Sequence, residues 1–164
     1  MYRNEFVSVT IVTYNSGRFI KRCLESVLDQ NYPFLDIIVI DNNSTDGTID
    51  ILEAFEGRER VRIEYNEENI GFAAAQNQAI DLSKGDWILT LNPDVLLQTN
   101  FIQALVDAGQ MHPRIGTVCG KLLAILATFD LPDKPLVDST GIYFNPMLRH
   151  LDRGSQEVDN GHYL

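Results

Sequence analysis

Apolar positions along the first 111 residues switch repeatedly between two spacings. Val7 to Thr13 (Val-Ser-Val-Thr-Ile-Val-Thr) is rich in β-branched residues and predicts a strand. Tyr14-Asn15-Ser16-Gly17 interrupts it. From Arg18 to Gln30 apolar residues fall at 19, 20, 23, 24, 27 and 28, the spacing of one buried helical stripe, while Lys21, Arg22, Glu25 and Asp29 lie off it. Asn31-Tyr32-Pro33 ends that helix. Leu35 to Ile40 predicts a second strand. A helix from Thr48 to Phe55 follows, with Ile49, Leu52 and Phe55 inward and Ser44, Thr45 and Asp46 all suited to cap it. A third strand is predicted at Val61 to Tyr65. The alanine-rich helix Phe72 to Leu82 comes next, closed by Lys84-Gly85. A fourth strand, Trp87 to Leu91, leads to a helix that Thr99 or Asn100 would cap and that runs through Met111.

Strands alternating with helices in this way predict an α/β fold: a mostly parallel central sheet with helices on both faces. After Pro113 the pattern loosens. Strand-like pieces remain at Thr117 to Leu123 and Leu136 to Phe144, separated by loops rich in Pro and Asp. The stretch from Asn145 to Leu164 has no period and reads as loop or tail. The expectation is a single domain, 1–164, with a βα half over 1–112 and the start of a second half over 113–164.

Composition narrows the function. A chain of 164 residues with 45% hydrophobic content fits one domain with a real core. A formal charge of −10 argues against nucleic acid or an anionic membrane surface as partner. A phosphorylated ligand would need local cations: a metal, helix N-termini or a few arginines. Cys23 and Cys119 both fall in apolar runs and read as small buried hydrophobes; their scarcity suits a reducing compartment. Met1 to Glu5 lacks the basic and long apolar regions of a signal peptide, and Leu122 to Leu126 is too short to span a bilayer. A cytoplasmic location is expected.

Neither the dinucleotide fingerprint G-x-G-x-x-G nor the phosphate loop G-x-x-x-x-G-K-[ST] occurs. His112, His150 and His162 all lie late, in loop-like sequence, and read as surface residues. The remaining polar constellation sits at strand ends: Thr13-Tyr14-Asn15, Asp41-Asn42-Asn43-Ser44, Asn69-x-Gly71 and Asn92-Pro93-Asp94. In a parallel sheet these ends converge on one edge, outside the carboxyl ends of the strands, where open α/β sheets bind ligands. Taken singly, Asp41 and Asp94 read as caps for the helices that follow, and Asn69-x-Gly71 as an ordinary turn. Taken together, the four read as one site for a polar, phosphorylated ligand with a metal. Arg149 and Arg153 read as solvated loop residues rather than diphosphate ligands.

The ordered set Thr13-Tyr14-Asn15, Asp41-Asn42-Asn43-Ser44-Thr45-Asp46-Gly47, Asn69-Ile70-Gly71-Phe72 and Asn92-Pro93-Asp94 resembles the family 2 glycosyltransferases of the GT-A fold. Together with the later Asp152-Arg153-Gly154 and Asp159-x-Gly161-x-Tyr163, it is most similar to the rhamnosyltransferase-like branch. The resemblance covers nearly the whole chain. It implies that Thr13, Tyr14, Asn15 and Asn43 line a nucleotide-sugar pocket and that Asp41 accepts a hydrogen bond from the imide N–H of uracil or thymine. Asn69, Gly71 and Asn77 would shape the rest of the base and ribose pocket. Asn92 would bond a ribose hydroxyl, and Asp94 would ligate Mg2+ or Mn2+, cations that take oxygen ligands from one or two carboxylates plus substrate phosphates. Many relatives carry aspartate where this chain has Asn92, a poorer metal ligand.

The activity implied is inverting transfer of a sugar from a nucleotide-diphosphate donor to a saccharide or lipid-linked acceptor. The donor would be a dTDP- or UDP-sugar, and in this branch dTDP-rhamnose. The catalytic base of the branch sits in a Glu-Asp motif downstream of the Asp-x-Gly-x-Tyr segment, which here means beyond Leu164. The reading is therefore the donor-binding part of a larger enzyme, inactive in transfer by itself and peripheral at the inner face of the membrane in full-length form. A non-catalytic nucleotide-sugar binding module is the alternative. The oligomeric state stays open.

Overall fold

The computed structural model describes residues 5–163; Met1 to Asn4, most of the stretch that lacks signal-peptide character, and Leu164 lie outside the described residues. The elements run β1 (Val7–Thr13), α1 (Ile20–Leu28), β2 (Leu35–Asp41), α2 (Thr48–Glu53), β3 (Val61–Tyr65), α3 (Phe72–Leu82), β4 (Trp87–Leu91) and α4 (Phe101–Gln110). The four strands form one parallel sheet in the order β3-β2-β1-β4. The expected α/β class is what the chain adopts.

Residue alternation in β1 and β2 explains the layering. Val7, Val9 and Ile11 on β1 and Leu35, Ile37 and Val39 on β2 face one way and pack with Ile20, Leu24 and Val27 of α1, Leu52 of α2, and Ile102 and Val106 of α4. Val12, Ile38 and Ile40 face the other way, against Ala75 and Ala79 of α3. The alanines let α3 lie close to the sheet, and Gln76 donates to Thr10 Oγ1 at 2.5 Å, which pairs two polar side chains buried in that layer. Helices cover both faces, and the two central strands are buried on both sides, as parallel sheets require.

Of three helix ends, the first takes one of the expected caps and the other two differ from expectation. The residue preceding α2 is Gly47 at φ 90°, and the cap is supplied from one step earlier: Asp46 Oδ1 accepts the Thr48 amide at 3.1 Å and the Thr48 hydroxyl. At the start of α4 the Ile102 amide is accepted by Gln30 Oε1 at 3.0 Å, a side chain from far upstream. At the end of α3, Ser83 turns to extended backbone while its hydroxyl donates to the Ala79 carbonyl at 2.9 Å. Gly85 serves instead for close approach: a Cβ there would lie 2.5 Å from both the Ser8 amide nitrogen and the Trp87 carbonyl oxygen.

Contacts divide the chain into two compact units, Met1–Val106 and Asp107–Leu164, with the division inside α4. In the second unit, β5 (Leu122–Leu123) pairs antiparallel with β6 (Val137–Ser139), and β7 (Ile142–Phe144) with β8 (His150–Asp152). The strand expected over 117–123 is reduced to its last two residues, since Gly116 and Gly120 supply no side chains to hold an extended run. The one expected over 136–144 breaks in two at Gly141, φ 119°. The supposed tail 145–164 is not structureless: β8 lies in it, and Val158 bridges to Leu136. Cys119, expected inside, is exposed, whereas Cys23 is buried. Among the described residues no helix is long and apolar enough to cross a membrane.

Candidate functional site

Register brings the strand ends together. Thr13 lies beside Asp41, and Asp41 beside Tyr65, so β1, β2 and β3 end in one row; β4 ends level with Ile11. All four loops that follow leave from the same edge of the sheet. The strand ends carry Thr13 and Asp41 and the loops carry Tyr14, Asn15, Asn43, Asn69, Gly71, Asn92 and Asp94, while Asn77 lies on the exposed side of α3.

Asp41 is fully buried, yet its carboxylate is well supplied with donors. Oδ1 accepts from the Thr13 hydroxyl at 2.8 Å and the Ser44 hydroxyl at 2.6 Å, and Oδ2 accepts the Ser44 amide at 2.8 Å. A carboxylate has about four acceptor positions, which leaves one on Oδ2. Three local donors offset the desolvation of a buried charge. The same side chains lock two loops together. The Asn15 amide donates to Ser44 Oγ at 2.8 Å and Asn15 Oδ1 accepts the Thr45 amide at 2.8 Å. The Ser16 amide donates to Thr48 Oγ1 and the Gly17 amide to Asp46 Oδ2. Asn15 and Asn43 both adopt left-handed backbone, φ 52° and 62°, a conformation asparagine tolerates better than most residues. Tyr14, at 52% exposure, projects from the loop between them.

A second cluster forms at the end of β2. Buried Asn42 accepts from Asn66 Nδ2 at 2.9 Å and donates to the Gly71 carbonyl at 3.4 Å, while exposed Asn69 accepts the Gly71 amide at 2.9 Å. Gly71 has φ 85° and ψ 159°, a region open in practice to glycine alone, so its place in the turn is dictated by backbone geometry.

Asn92 and Asp94 are exposed after β4, and the Asn92 carbonyl accepts from Cys23 Sγ at 3.6 Å. Burial, with the Asp94 charge adding to it, pushes the Cys23 thiol up to about 12. Among the described residues no group of three or more His, Cys, Asp or Glu could hold a metal ion. The Asp94 carboxylate is a hard oxygen donor of the kind that Mg2+ and Mn2+ accept, and it stands exposed to solvent.

Polar residues of the later motifs bond within the second unit. Asp159 accepts from Lys121 Nζ at 2.8 Å and from the Gly161 amide, which hold its carboxyl below the usual range. Glu157 accepts from the Tyr163 hydroxyl at 2.9 Å. Arg153 is not simply solvated, since its Nε donates to Thr140 Oγ1 at 2.9 Å. Asn42 and Ser44 lie inside the motif; Ser44, read from sequence as a helix cap, instead donates to Asp41, and Asn42 ties the end of β2 to Asn66 and Gly71. Cys23 carried no sequence signal toward the site at all.

The profile of the family described as "Glycosyl transferase family 2" matches residues 8–155. The chain belongs to glycosyl transferase family 2. Glycosyltransferase GlyG of Streptococcus pneumoniae is 35% identical over 65% of this chain, which corresponds to 36% of that protein. A chondroitin synthase of Escherichia coli is 35% identical over 64% of this chain and 15% of its own length. This family 2 domain thus spans about a third or less of those relatives. Among solved structures, Staphylococcus aureus TarS 1–349 in complex with UDP-GlcNAc superposes with a TM-score of 0.58 at 27% identity, over 63% of this chain and 31% of that one. The Pyrobaculum calidifontis mannosyltransferase PcManGT, in complex with GDP-Man and Mn2+, superposes with a TM-score of 0.60 at 25% identity, over 66% and 33%. Both likenesses agree with a GT-A fold.

Proposed function

We propose that this family 2 domain binds the nucleoside diphosphate of a sugar donor, as part of a glycosyltransferase that passes the sugar to a saccharide or lipid-linked acceptor with inversion. The observation that carries this reading is the convergence of the four strand-end loops on one edge, with Asp41 held in place and Asp94 left exposed. Two neighbours in complex with nucleotide sugars, one of them also with Mn2+, support it.

Thr13, Tyr14, Asn15 and Asn43 border the base, and Asp41, whose Oδ2 keeps an acceptor position unused by the chain, takes its N–H when the loops that bury it part for the ligand. Uracil, thymine and guanine can supply that hydrogen and adenine cannot. Asn69, Gly71 and Asn77 flank the base and ribose, Asn92 meets a ribose hydroxyl, and Asp94 holds Mg2+ or Mn2+ on the diphosphate. The cation neutralises charge on the departing diphosphate. The rhamnosyltransferase-like motif set favours dTDP-rhamnose as donor and a base contributed from outside 1–164, with a cytoplasmic working location at the membrane face. Residues 113–164 contribute to the acceptor side.

Thermal denaturation with UDP, dTDP, GDP and ADP, each with and without Mn2+, tests the reading. A raised Tm is expected for one of the first three by mass action, with the Mn2+-dependent part lost in Asp94→Ala. No shift with any of them at millimolar concentration overturns the donor site. Measurable sugar transfer by the 164-residue chain overturns the placement of the base elsewhere. Donor binding by the natural full-length protein without transfer to any acceptor would favour the non-catalytic module instead.

A further inference from the structure

Between the end of β4 and the start of α4, residues 92–100 run without regular secondary structure. Such a segment keeps one path only if other parts of the chain satisfy its backbone groups. Here α1 and the turn after it do so, in order. Below the Cys23 contact to Asn92, Ser26 Oγ accepts the Leu97 amide at 3.1 Å, Gln30 Nε2 donates to the Gln98 carbonyl at 2.7 Å, and the Asn31 amide donates to the Thr99 carbonyl at 2.8 Å.

Gln30 is 9% exposed and spends its whole amide on this junction. Besides Gln98, Nε2 donates to the Ser26 carbonyl at 3.1 Å, and Oε1 accepts the Ile102 amide that opens α4. A buried amide is costly unless its groups are bonded. Of the three bonds of Gln30, one goes to the segment that carries Asp94, one to α4 at the far end of that segment, and one back to α1. Ser26 likewise donates to the Cys23 carbonyl at 2.7 Å while accepting from Leu97, which ties the helix turn beneath Asn92 to the segment beyond Asp94.

We infer that Ser26 and Gln30 are positioning residues for the donor's cation: they set the path of 92–100, and with it the place of the Asp94 carboxylate, without touching the ligand. The inference rests on the assignment of Asp94 to the cation made above. Cation–oxygen distances are confined to a few tenths of an ångström, so a small drift of the segment weakens the cation more than it weakens contacts to the base, which arise from β1 and β2.

The test measures Mn2+ affinity by electron paramagnetic resonance at saturating UDP, and UDP affinity by calorimetry in EDTA, on the same chain. Ser26→Ala and Gln30→Ala are expected to weaken Mn2+ about three- to tenfold, the consequence of losing one or two net hydrogen bonds. They should also broaden the bound Mn2+ signal and lower metal-free UDP affinity by less than about twofold, since the nucleoside contact assigned to the segment is the Asn92 bond to a ribose hydroxyl. Ser26→Thr, which keeps the hydroxyl, should restore Mn2+ affinity. Should Gln30→Ala fail to fold, the Ser26 pair carries the comparison alone. Variants that melt lower yet bind Mn2+ as the parent does would overturn the inference, as would a parallel loss of both affinities or a Thr variant that restores nothing. A parent chain that binds UDP but no Mn2+ removes the Asp94 assignment itself, and that outcome is read before any variant is made.

Discussion

The Thr13 hydroxyl donates to Asp41 Oδ1 at 2.8 Å across the register-paired ends of β1 and β2. This contact joins the last residues of two neighbouring strands, and it supplies a fully buried carboxylate with one of its three donors. Valine has nearly the shape of threonine without the hydroxyl. Thr13→Val should therefore lower stability by about 1–3 kcal/mol, the cost of leaving a buried acceptor short. Urea denaturation checks it, and a loss below a few tenths would show that water replaces the hydroxyl.

Acid should weaken the junction of the first two loops. The Thr48 side chain, first among several donors, lowers the Asp46 pKa below its ordinary value. A depressed carboxylate contributes stability that is full above its unfolded pKa, about 3.9, and is lost as pH falls through the folded value. The stability difference between the parent and Asp46→Asn should hold steady above about pH 5 and shrink below pH 4. Melting temperatures of both proteins across pH 2.5–7 provide the comparison; a constant difference refutes the linkage.

The two cysteines should separate in reactivity. With its thiol pushed up to about 12 and its side chain buried, Cys23 offers almost no thiolate at neutral pH, whereas Cys119 is exposed. A thiol reagent at pH 8 should titrate one group in the folded protein and a second only after denaturant is added. Rapid reaction of both without denaturant would contradict the burial of Cys23.

Gly85→Ala should be among the most damaging single substitutions in the first unit. Its Cβ would fall 2.5 Å from two backbone atoms, on Ser8 and Trp87, that are fixed by the β1–β4 pairing. A loss of more than about 2 kcal/mol is expected, as for overpacking where nothing can yield. Equilibrium unfolding measures it, and a near-neutral outcome would mean the turn relaxes.

The strands of the parallel sheet and their order of appearance are legible because β-branched runs and a 3.6-residue stripe differ strongly in period; β1, β3, β4 and α3 keep the predicted bounds. The second unit is less so. Its strands are two or three residues long, too short for a period to register, and β8 emerges from a stretch with no pattern at all. The expected site residues are legible as motif members, but the side chains that hold them are less so. Ser44 bonds Asp41 three residues away and hid within a string of polar neighbours. Gln30 reads as the polar end of a helix, and its partners Gln98 and Ile102 lie about seventy positions downstream. Cys119 failed because an apolar run alone does not say which of its members faces inward.

Parallel strands also give the sheet a quiet rim. The turns that enter the strands, such as Lys84-Gly85-Asp86 before β4, lie a strand's length from the loops that leave them, about 16 Å for the five residues of β4. Lys84 is exposed there. A dye or surface linker carried by a cysteine in place of Lys84, with Cys119 removed, would hold the protein by its back and leave the loop edge open to solution, so that ligand binding can be watched on a single oriented molecule.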